Sequence, residues 1–537
     1  MSKRRDIEAA IAGIADGATL VIGGTGVAQE PDLLLEALER RFLETGHPRD
    51  LTVVTPMLPG DRPGEGGMNC FAHEGMLKRI IGASFSRARH PRLLEMIREE
   101  RCEGYVVGMG LMMQLLTAIG SGKPGVFTRV GLGSFMDPRD QGGRMNERSS
   151  GPPVRLETID GVEYLFYPAF PIDVALVRGT TADENGYVSM EEEPNTLGMV
   201  ELALAAKGSG GRVIAQVKRL ARARSLDPRT VRIPGPLVDE VVVHPTQRQV
   251  SAAMADPLAG WNPFLAGALK APLDGFPPVE PGATRAILRR AALELRRGDV
   301  VNLGAGVATH LPRIALEEGQ LDEVVFTNEH GIFGGLMGTA LGGSFVPALN
   351  AEAIMDSGFQ FNFYDGGGLD ITFLGIGQAD AAGNLNVSRF GAEINGPGGF
   401  NNITERTPRI VFCGSLTAGG LQVAVEDGRL RVVKEGKFRK FVPAVEQITF
   451  NAARGRDKGQ RVLYVTERAV FELREQGLVL VELAPGIDLD TQVRPHVEFP
   501  LEVAADLREM PAAVFSEGPL GLAESLDRDS KREGDET

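Results

Sequence analysis

Apolar and polar positions along this chain alternate in the manner of strands and helices. Thr19-Leu-Val-Ile22 is a short apolar run closed by Gly23-Gly-Thr-Gly26, the pattern of a buried strand entering a tight loop. Leu33, Leu34, Ala37, Leu38 and Phe42 then recur at helical spacing, with Pro31 as first helical residue and Gly46 as the stop. Leu51-Thr-Val-Val54 is the next strand, and up to about residue 245 runs such as Gly104-Tyr-Val-Val107 and Val174-Ala-Leu-Val177 alternate with Gly- and Pro-rich loops. Residues 256–283 carry several prolines and little periodicity, which predicts a linker. The alternation then restarts: Ile287 to Arg297 predicts a helix, Val300-Val-Asn-Leu303 a strand entering Gly304-Ala-Gly306, and Glu323-Val-Val-Phe-Thr327 another strand. This order predicts an α/β fold.

The restart is also a repeat. Gly17-Ala-Thr-Leu-Val-Ile-Gly-Gly-Thr-Gly-Val-Ala28 aligns with Gly298-Asp-Val-Val-Asn-Leu-Gly-Ala-Gly-Val-Ala308 with one gap. Asp173-Val-Ala-Leu-Val-Arg-Gly-Thr-Thr-Ala-Asp-Glu-Asn-Gly186 aligns without a gap on Asp370-Ile-Thr-Phe-Leu-Gly-Ile-Gly-Gln-Ala-Asp-Ala-Ala-Gly383. Both pairs occur in the same order, so the chain reads as two similar open α/β domains in tandem, residues 1–255 and 284–515, joined by the 256–283 linker. Residues 516–537 are expected as a disordered tail, most charged from Ser525 onward.

Composition narrows the function. A chain of 537 residues is long enough for two or three domains. Its 68 glycines are nearly twice the usual share of about 7% and fit many tight strand-to-helix loops. A net charge of −14 disfavours nucleic acid or an anionic membrane as partner. The basic start lacks an apolar stretch after it, no segment reaches the roughly 18 apolar residues of a membrane helix, and Cys70, Cys102 and Cys413 form no CxxC pair. These features predict a cytoplasmic protein with reduced thiols.

Several chemistries drop out. There is no Gly-x-Ser-x-Gly elbow, no His-Glu-x-x-His, no Cys/His spacing for zinc and no Walker A sequence. Gly120-Ser-Gly-Lys-Pro-Gly125 fits Gly-x-Gly-x-x-Gly in form only, because Pro124 stands where a helix should begin, and a loop is expected. Cys413 closes an apolar strand and is expected to be buried. What remains is Glu329, in Phe326-Thr-Asn-Glu-His-Gly-Ile-Phe-Gly-Gly335, just past a strand's carboxyl end where open α/β sheets bind ligands. Gly331, Gly334 and Gly335 would let backbone approach a ligand there. Asn395-Gly-Pro-Gly-Gly-Phe400 reads either as a plain tight turn or as an oxyanion hole of backbone N–H groups. Tyr364-Asp-Gly-Gly-Gly-Leu-Asp370 is expected as a structural turn.

With these residues in view the chain resembles the class I CoA-transferases, closest to the single-chain acetate/propionate (short-chain acyl) group, from about residue 5 to 515. The resemblance rests on Pro124-Gly-Val-Phe-Thr-Arg-Val-Gly-Leu-Gly-Ser-Phe-Met-Asp-Pro-Arg139, Arg178-Gly-Thr-Thr-Ala-Asp-Glu-Asn-Gly186, Asn328-Glu-His-Gly331, Phe363-Tyr-Asp-Gly-Gly-Gly-Leu-Asp370, Gly383-Asn-Leu-Asn-Val-Ser-Arg-Phe-Gly391, Gly398-Gly-Phe400 and Thr466-Glu-Arg-Ala-Val-Phe471. It implies two NagB/RpiA-like domains and a Glu329 that becomes a glutamyl-CoA thioester. It also implies that Gly304, Gly306, Val307, Asn395, Gly398 and Gly399 contact CoA or the oxyanion. One departure is His330, where relatives often carry a small or amide residue.

The resemblance implies coenzyme A as substrate and covalent intermediate, no metal and no permanently bound cofactor. Acyl-CoA and small carboxylic acids would be the partners, and the chain would form a homo-oligomer. Gln114, Met112 and Met113 are guesses at an acyl pocket. A thioester hydrolase with Glu329 as general base and a non-catalytic binding protein on the same fold are the other readings.

Overall fold

A computed structural model of the chain describes residues 2–60, 64–151, 153–250, 260–337 and 346–527. Each half is built on an open sheet whose central strands are parallel. In the first, the order is Glu103–Val106, Leu77–Gly82, Leu51–Thr55, Thr19–Ile22, Val174–Asp183, Arg212–Ala221, Glu240–Val243. The chain therefore steps outward on one side of Thr19–Ile22 and then crosses to the other. In the second, Val325–Asn328, Val300–Leu303, Ile371–Gly375, Arg409–Cys413 and Arg461–Val465 lie in that order, all parallel. Its direction of winding reverses between Val300–Leu303 and Ile371–Gly375, and such a switch point opens a crevice at the carboxyl edge.

The sequence repeat is a repeat of hydrogen bonds. Asp173 Oδ2 accepts from the Thr19 N–H at 2.7 Å, and Asp370 Oδ2 accepts from the Val300 N–H at 2.8 Å. Gly23 N–H donates to Leu176 O at 3.0 Å, and Gly304 N–H to Phe373 O at 2.8 Å. Asp183 Oδ1 accepts from Tyr187 N–H, four residues on, at 3.0 Å, and Asp380 Oδ1 accepts from Asn384 N–H at 3.0 Å. The matching aspartates thus pin the same strand starts and turns in both halves.

Strand alternation decides how the halves meet. Ile410, Phe412, Val462 and Tyr464 point into a core continuous with the first half, while Val411, Cys413, Leu463 and Val465 point into a second core under the Ala283–Ala292 helix. The Met109–Gly120 helix crosses the Ser357–Asp365 helix so closely that a Cβ on Gly110 would stand 2.4 Å from the Phe361 ring. Across this contact Gln114 Nε2 donates to Asp365 Oδ2 at 2.6 Å, and Asn402 Nδ2 donates to both Asp365 oxygens at 3.0 Å.

Several boundaries differ from expectation. The helix expected over Ile287–Arg297 spans Ala283–Ala292, because the chain must turn before Val300; Asp299 Oδ2 accepts from Arg296 N–H there at 2.7 Å. The strand expected from Glu323 begins at Val325, after a short 3₁₀ turn over Leu321–Glu323. Pro31 caps the Asp32–Thr45 helix rather than opening it.

Residues 260–283 of the expected linker are docked, with Leu265 fully buried and Asn350 bonded to both backbone groups of Ala271; residues 256–259 lie outside the described residues. The expected tail is corrected in part. Leu520, Leu522 and Leu526 are buried, and the Leu520 and Gly521 N–H groups donate to Glu318 at 2.8 and 3.2 Å. Apolar residues at 520, 522 and 526 give this stretch a face to bury that its charge pattern hides; residues 528–537 lie outside the described residues.

Candidate active site

Glu329 occupies the tip of a hairpin at the carboxyl edge of the second sheet. Val325–Asn328 pairs antiparallel with Ile332–Phe333, Asn328 opposite Ile332, so the connection is Glu329, His330 and Gly331 alone. So short a turn needs one residue at positive φ, and Gly331 supplies φ +93°. It also lies against the segment at Met355: a Cβ there would stand 2.0 Å from Met355 O. Asn328 Oδ1 accepts from His330 N–H at 3.0 Å, closing the turn from inside.

The carboxylate is 8% exposed. Burial pushes its pKa up to about 7, with its own backbone N–H and the nearby Asn302 amide working against the rise. Among the described residues Glu329 Oε2 has no hydrogen-bond partner. A buried carboxylate with one oxygen unengaged in a cleft is arranged to react or to bind. His330 beside it is buried and held near 3 by burial and the Arg89 guanidinium, so its ring is neutral.

The cleft encloses about 360 Å³ and takes its walls from both halves, Met57, Phe85, Arg89 and Met109 from the first, Leu374 and Ile403 from the second. Gly304, Asn395, Gly398 and Gly399 line it together with Glu329. Gly306 and Val307 do not; Gly306 is exposed at φ +100° and leads away into the Val307–His310 turn. The oxyanion expectation for the Gly398-Gly399 turn also needs revision. Gly398 N–H is spent on Ala83 O at 2.9 Å, and Gly304 N–H on Phe373 O at 2.8 Å. Gly399 N–H has no acceptor among the described residues and is the donor this turn can offer. Gly396 is what lets the turn close on the first half, since a Cβ there would meet Ala83 O at 2.6 Å.

Other expected residues fall elsewhere. Gln114 is engaged with Asp365, Met113 packs against Gly198, and Met112 lines a separate cavity of about 400 Å³ on the first sheet. Met109, one turn earlier on that helix, is the methionine in the cleft. Cys413 is buried and its thiol is pushed up to about 12, unsuited to nucleophilic attack. Among the described residues no group of three or more His, Cys, Asp or Glu could hold a metal, and no helix is long and apolar enough to cross a membrane.

Tyr364, expected in a turn, belongs to the Ser357–Asp365 helix and is buried with its hydroxyl 2.8 Å from Thr327 Oγ1 and 3.2 Å from Asn302 Nδ2. Asn302, Thr327, Tyr364, Arg89 and Asn195 are site residues that motif reading missed. A polar Asn in the apolar run Val300-Val-Asn-Leu303 was a usable signal; nothing local marked the others.

Comparison with known proteins adds to this geometry. The coenzyme A transferase family model matches residues 4–244. The caffeate CoA-transferase of Acetobacterium woodii is 40% identical over 518 residues, covering 95% of this chain and 96% of that protein. The acetate CoA-transferase YdiF of Escherichia coli K12 is 36% identical over 510 residues, covering 95% and 94%. Among solved structures, the acyl-CoA transferase YdiF of E. coli O157:H7, in a thioester complex with CoA, superposes with a TM-score of 0.90 at 35% identity over 97% of both chains.

Proposed function

The chain belongs to the coenzyme A transferase family, and from that premise we propose that it moves CoA from a short-chain acyl-CoA to an acceptor carboxylate through a glutamyl-CoA thioester on Glu329. The observation that carries this reading is the placement of Glu329 at a hairpin tip lining the interdomain cleft. The thioester complex formed by the YdiF relative supports it.

The steps follow from that geometry. A carboxylate oxygen of Glu329 attacks the thioester carbonyl of the acyl-CoA, the C–S bond breaks, and an acyl-glutamyl anhydride and CoA thiolate result. The thiolate attacks the Glu329 carbonyl carbon; the bond from Cδ to the acylated oxygen breaks, the first acid leaves as its carboxylate, and a glutamyl-CoA thioester remains. An acceptor carboxylate retraces both steps to leave a new acyl-CoA and free Glu329. A pKa near 7 makes the ionised Glu329 a better nucleophile than an ordinary carboxylate while leaving about half of it ionised at neutral pH. Each addition develops negative charge on a carbonyl oxygen, for which Gly399 N–H is a donor from the second half's wall of the cleft. Closure between two halves shields the anhydride from water. A cytoplasmic location and a homo-oligomeric assembly belong to the same proposal.

A second reading has one observation behind it: a carboxylate poised near 7 also suits a general base that activates water for thioester hydrolysis. Intact-protein mass after mixing with acetyl-CoA separates the two. An adduct of CoA mass on the wild type, absent from Glu329→Ala, is the transferase result. Steady release of CoA without an adduct or an acceptor acid is the hydrolase result and overturns the proposal.

A further inference from the structure

The turn that carries Gly399 spends nearly all of its backbone donors. The Asn395 and Gly396 N–H groups donate to Ser388 O at 2.8 and 3.0 Å. Gly398 N–H donates to Ala83 O at 2.9 Å and Phe400 N–H to Pro397 O at 3.0 Å. Pro397 has no N–H to give. One donor of the turn is left: Gly399 N–H has no acceptor among the described residues. Gly398, Gly399 and Phe400 all line the cleft together with Glu329.

What aims this donor comes from the first half. Met109 N–H donates to Gly398 O at 2.8 Å. Gly398 O and Gly399 N–H belong to one peptide unit, and a trans peptide is planar with its C=O and N–H pointing opposite ways. Holding the carbonyl on Met109 therefore fixes the direction of the Gly399 N–H. It also polarises the unit, since a peptide whose oxygen accepts a hydrogen bond donates more strongly through its N–H. Without that bond little would resist rotation of the peptide: Gly398 stands at φ +56°, and even a Cβ there would meet nothing within 4 Å. Met109 is itself held. It opens the Met109–Gly120 helix, whose Gln114 Nε2 donates to Asp365 Oδ2 at 2.6 Å. Asn402, on the Phe400–Arg406 helix that follows Gly399, donates its amide to both Asp365 oxygens at 3.0 Å. The Asp365 carboxylate thus straps together the two helices whose starts meet at the Gly398–Gly399 peptide.

We infer that the first half sets the oxyanion donor of the second: the Met109 backbone N–H, held by the Gln114–Asp365–Asn402 strap, aligns and polarises the Gly398–Gly399 peptide. This rests on the reading of Gly399 N–H as the donor to the oxygen that gains charge. Each addition to a carbonyl moves an electron pair onto that oxygen, and collapse returns it as the leaving bond breaks. A donor fixed beforehand needs no reorganisation as the charge forms. Neither half holds this device alone. The second carries the peptide without the amide that orients it, and the first carries the amide without the peptide. The Met109 backbone, Gln114, Asp365 and Asn402 act through Gly399 and are positioning groups.

The test compares Met109→Pro with Met109→Ala by quenched intact-mass measurement of the CoA adduct over a series of acetyl-CoA concentrations, beside melting curves. Both variants lose the methionine side chain from the cleft; only proline also loses the N–H. Proline otherwise suits the site, since helices accept it as first residue and Gly108 before it already has φ −53° and ψ +142°. Met109→Pro should form the adduct about 10- to 10²-fold more slowly than Met109→Ala, with the half-saturating concentration unchanged. A bond that only holds the halves together would lower the melting temperature and leave the two rates equal; equal rates overturn the inference. Gln114→Met leaves every lining residue of the cleft in place and should slow the adduct by less, about two- to ten-fold. Should Met109→Pro not fold, a wild-type rate in Gln114→Met overturns the inference instead. Gly399→Pro beside Gly399→Ala tests the donor itself, both carrying the same Cβ about 3.0 Å from the Phe361 ring. Equal rates in that pair remove the donor reading and the inference with it. A loss at Gly399 with equal rates at Met109 removes the inference alone. A wild type that forms no adduct removes the transferase reading, an outcome recognisable without any variant.

Discussion

Asn195 of the first half donates its side-chain amide to the backbone carbonyl of His330, the residue after Glu329, at 3.0 Å, and the same amide reaches Val346 O at 3.3 Å. The hairpin that presents Glu329 is thus fastened from the opposite half of the molecule. Thr196 adds a second tie, its hydroxyl lying 3.0 Å from Asp356 Oδ2 beside the backbone that braces Gly331.

Removing that fastening should cost rate more than stability. A 1 Å displacement of a reacting group can cost about 10²-fold, and Asn195→Ala should lower kcat by roughly one to two orders of magnitude while the thermal transition moves little. Steady-state kinetics and a melting curve on the same preparation check this; an unchanged kcat would falsify the claim that the first half positions the hairpin.

Glu329→Gln should abolish the adduct and yet melt higher than the wild type in mild alkali. The sign follows from the raised pKa: the folded state holds the Glu329 proton up to about 7, whereas the unfolded chain releases it near 4.3. Stability therefore falls as pH rises through that window and stays reduced above it, by on the order of 3–4 kcal/mol. The neutral amide escapes that penalty. Melting curves at pH 4 and pH 8.5, about the two ends of the window, should coincide for the two proteins at the first and separate at the second.

The pH dependence of kcat/KM for acyl-CoA should show an acid limb near 7, the pKa of Glu329. His330 and His90 are pushed down to about 3 and 4 and contribute nothing in that range. The limb should persist in His90→Gln, which tests whether the carboxylate or the imidazole titrates. An acid limb near 4–5, the ordinary carboxylate range of roughly that value, would mean that Glu329 is better solvated than its burial requires.

Gly331→Ala should inactivate the protein. The new Cβ would stand 2.0 Å from Met355 O at a backbone φ of +93°. Strain of this kind costs about 1–3 kcal/mol before the clash is counted. Loss of turnover with retained circular dichroism, and a lowered melting temperature, are expected; full activity would show that the tight turn is dispensable.

The sequence alone determined the α/β architecture, the internal repeat and the catalytic candidate, because each is written in local spacing. Apolar runs followed by glycine place strands and loops without knowledge of distant contacts, and Asp173 and Asp370 betray the repeat because each pins the start of a neighbouring strand in the same way. Glu329 could be placed at a carboxyl edge for the same reason. Local spacing also misled. The charge after Ser525 hid Leu520, Leu522 and Leu526, which are buried against the second half.

Only the tertiary structure decided what surrounds Glu329. Gly398 lines the cleft yet spends its N–H on Ala83, and Gln114 faces Asp365 while Met109 reaches the cleft. Asn302, Tyr364 and Asn195 come together from three separate stretches of chain. A hydrogen bond is short and directional, so which donor is spent and which is left depends on atoms hundreds of residues apart along the chain, as on the order of a few tenths of an ångström settle it. Burial does the rest: the same carboxylate that sequence places near 4.3 is carried to about 7 by the walls of a cleft that exists only once the two halves have packed.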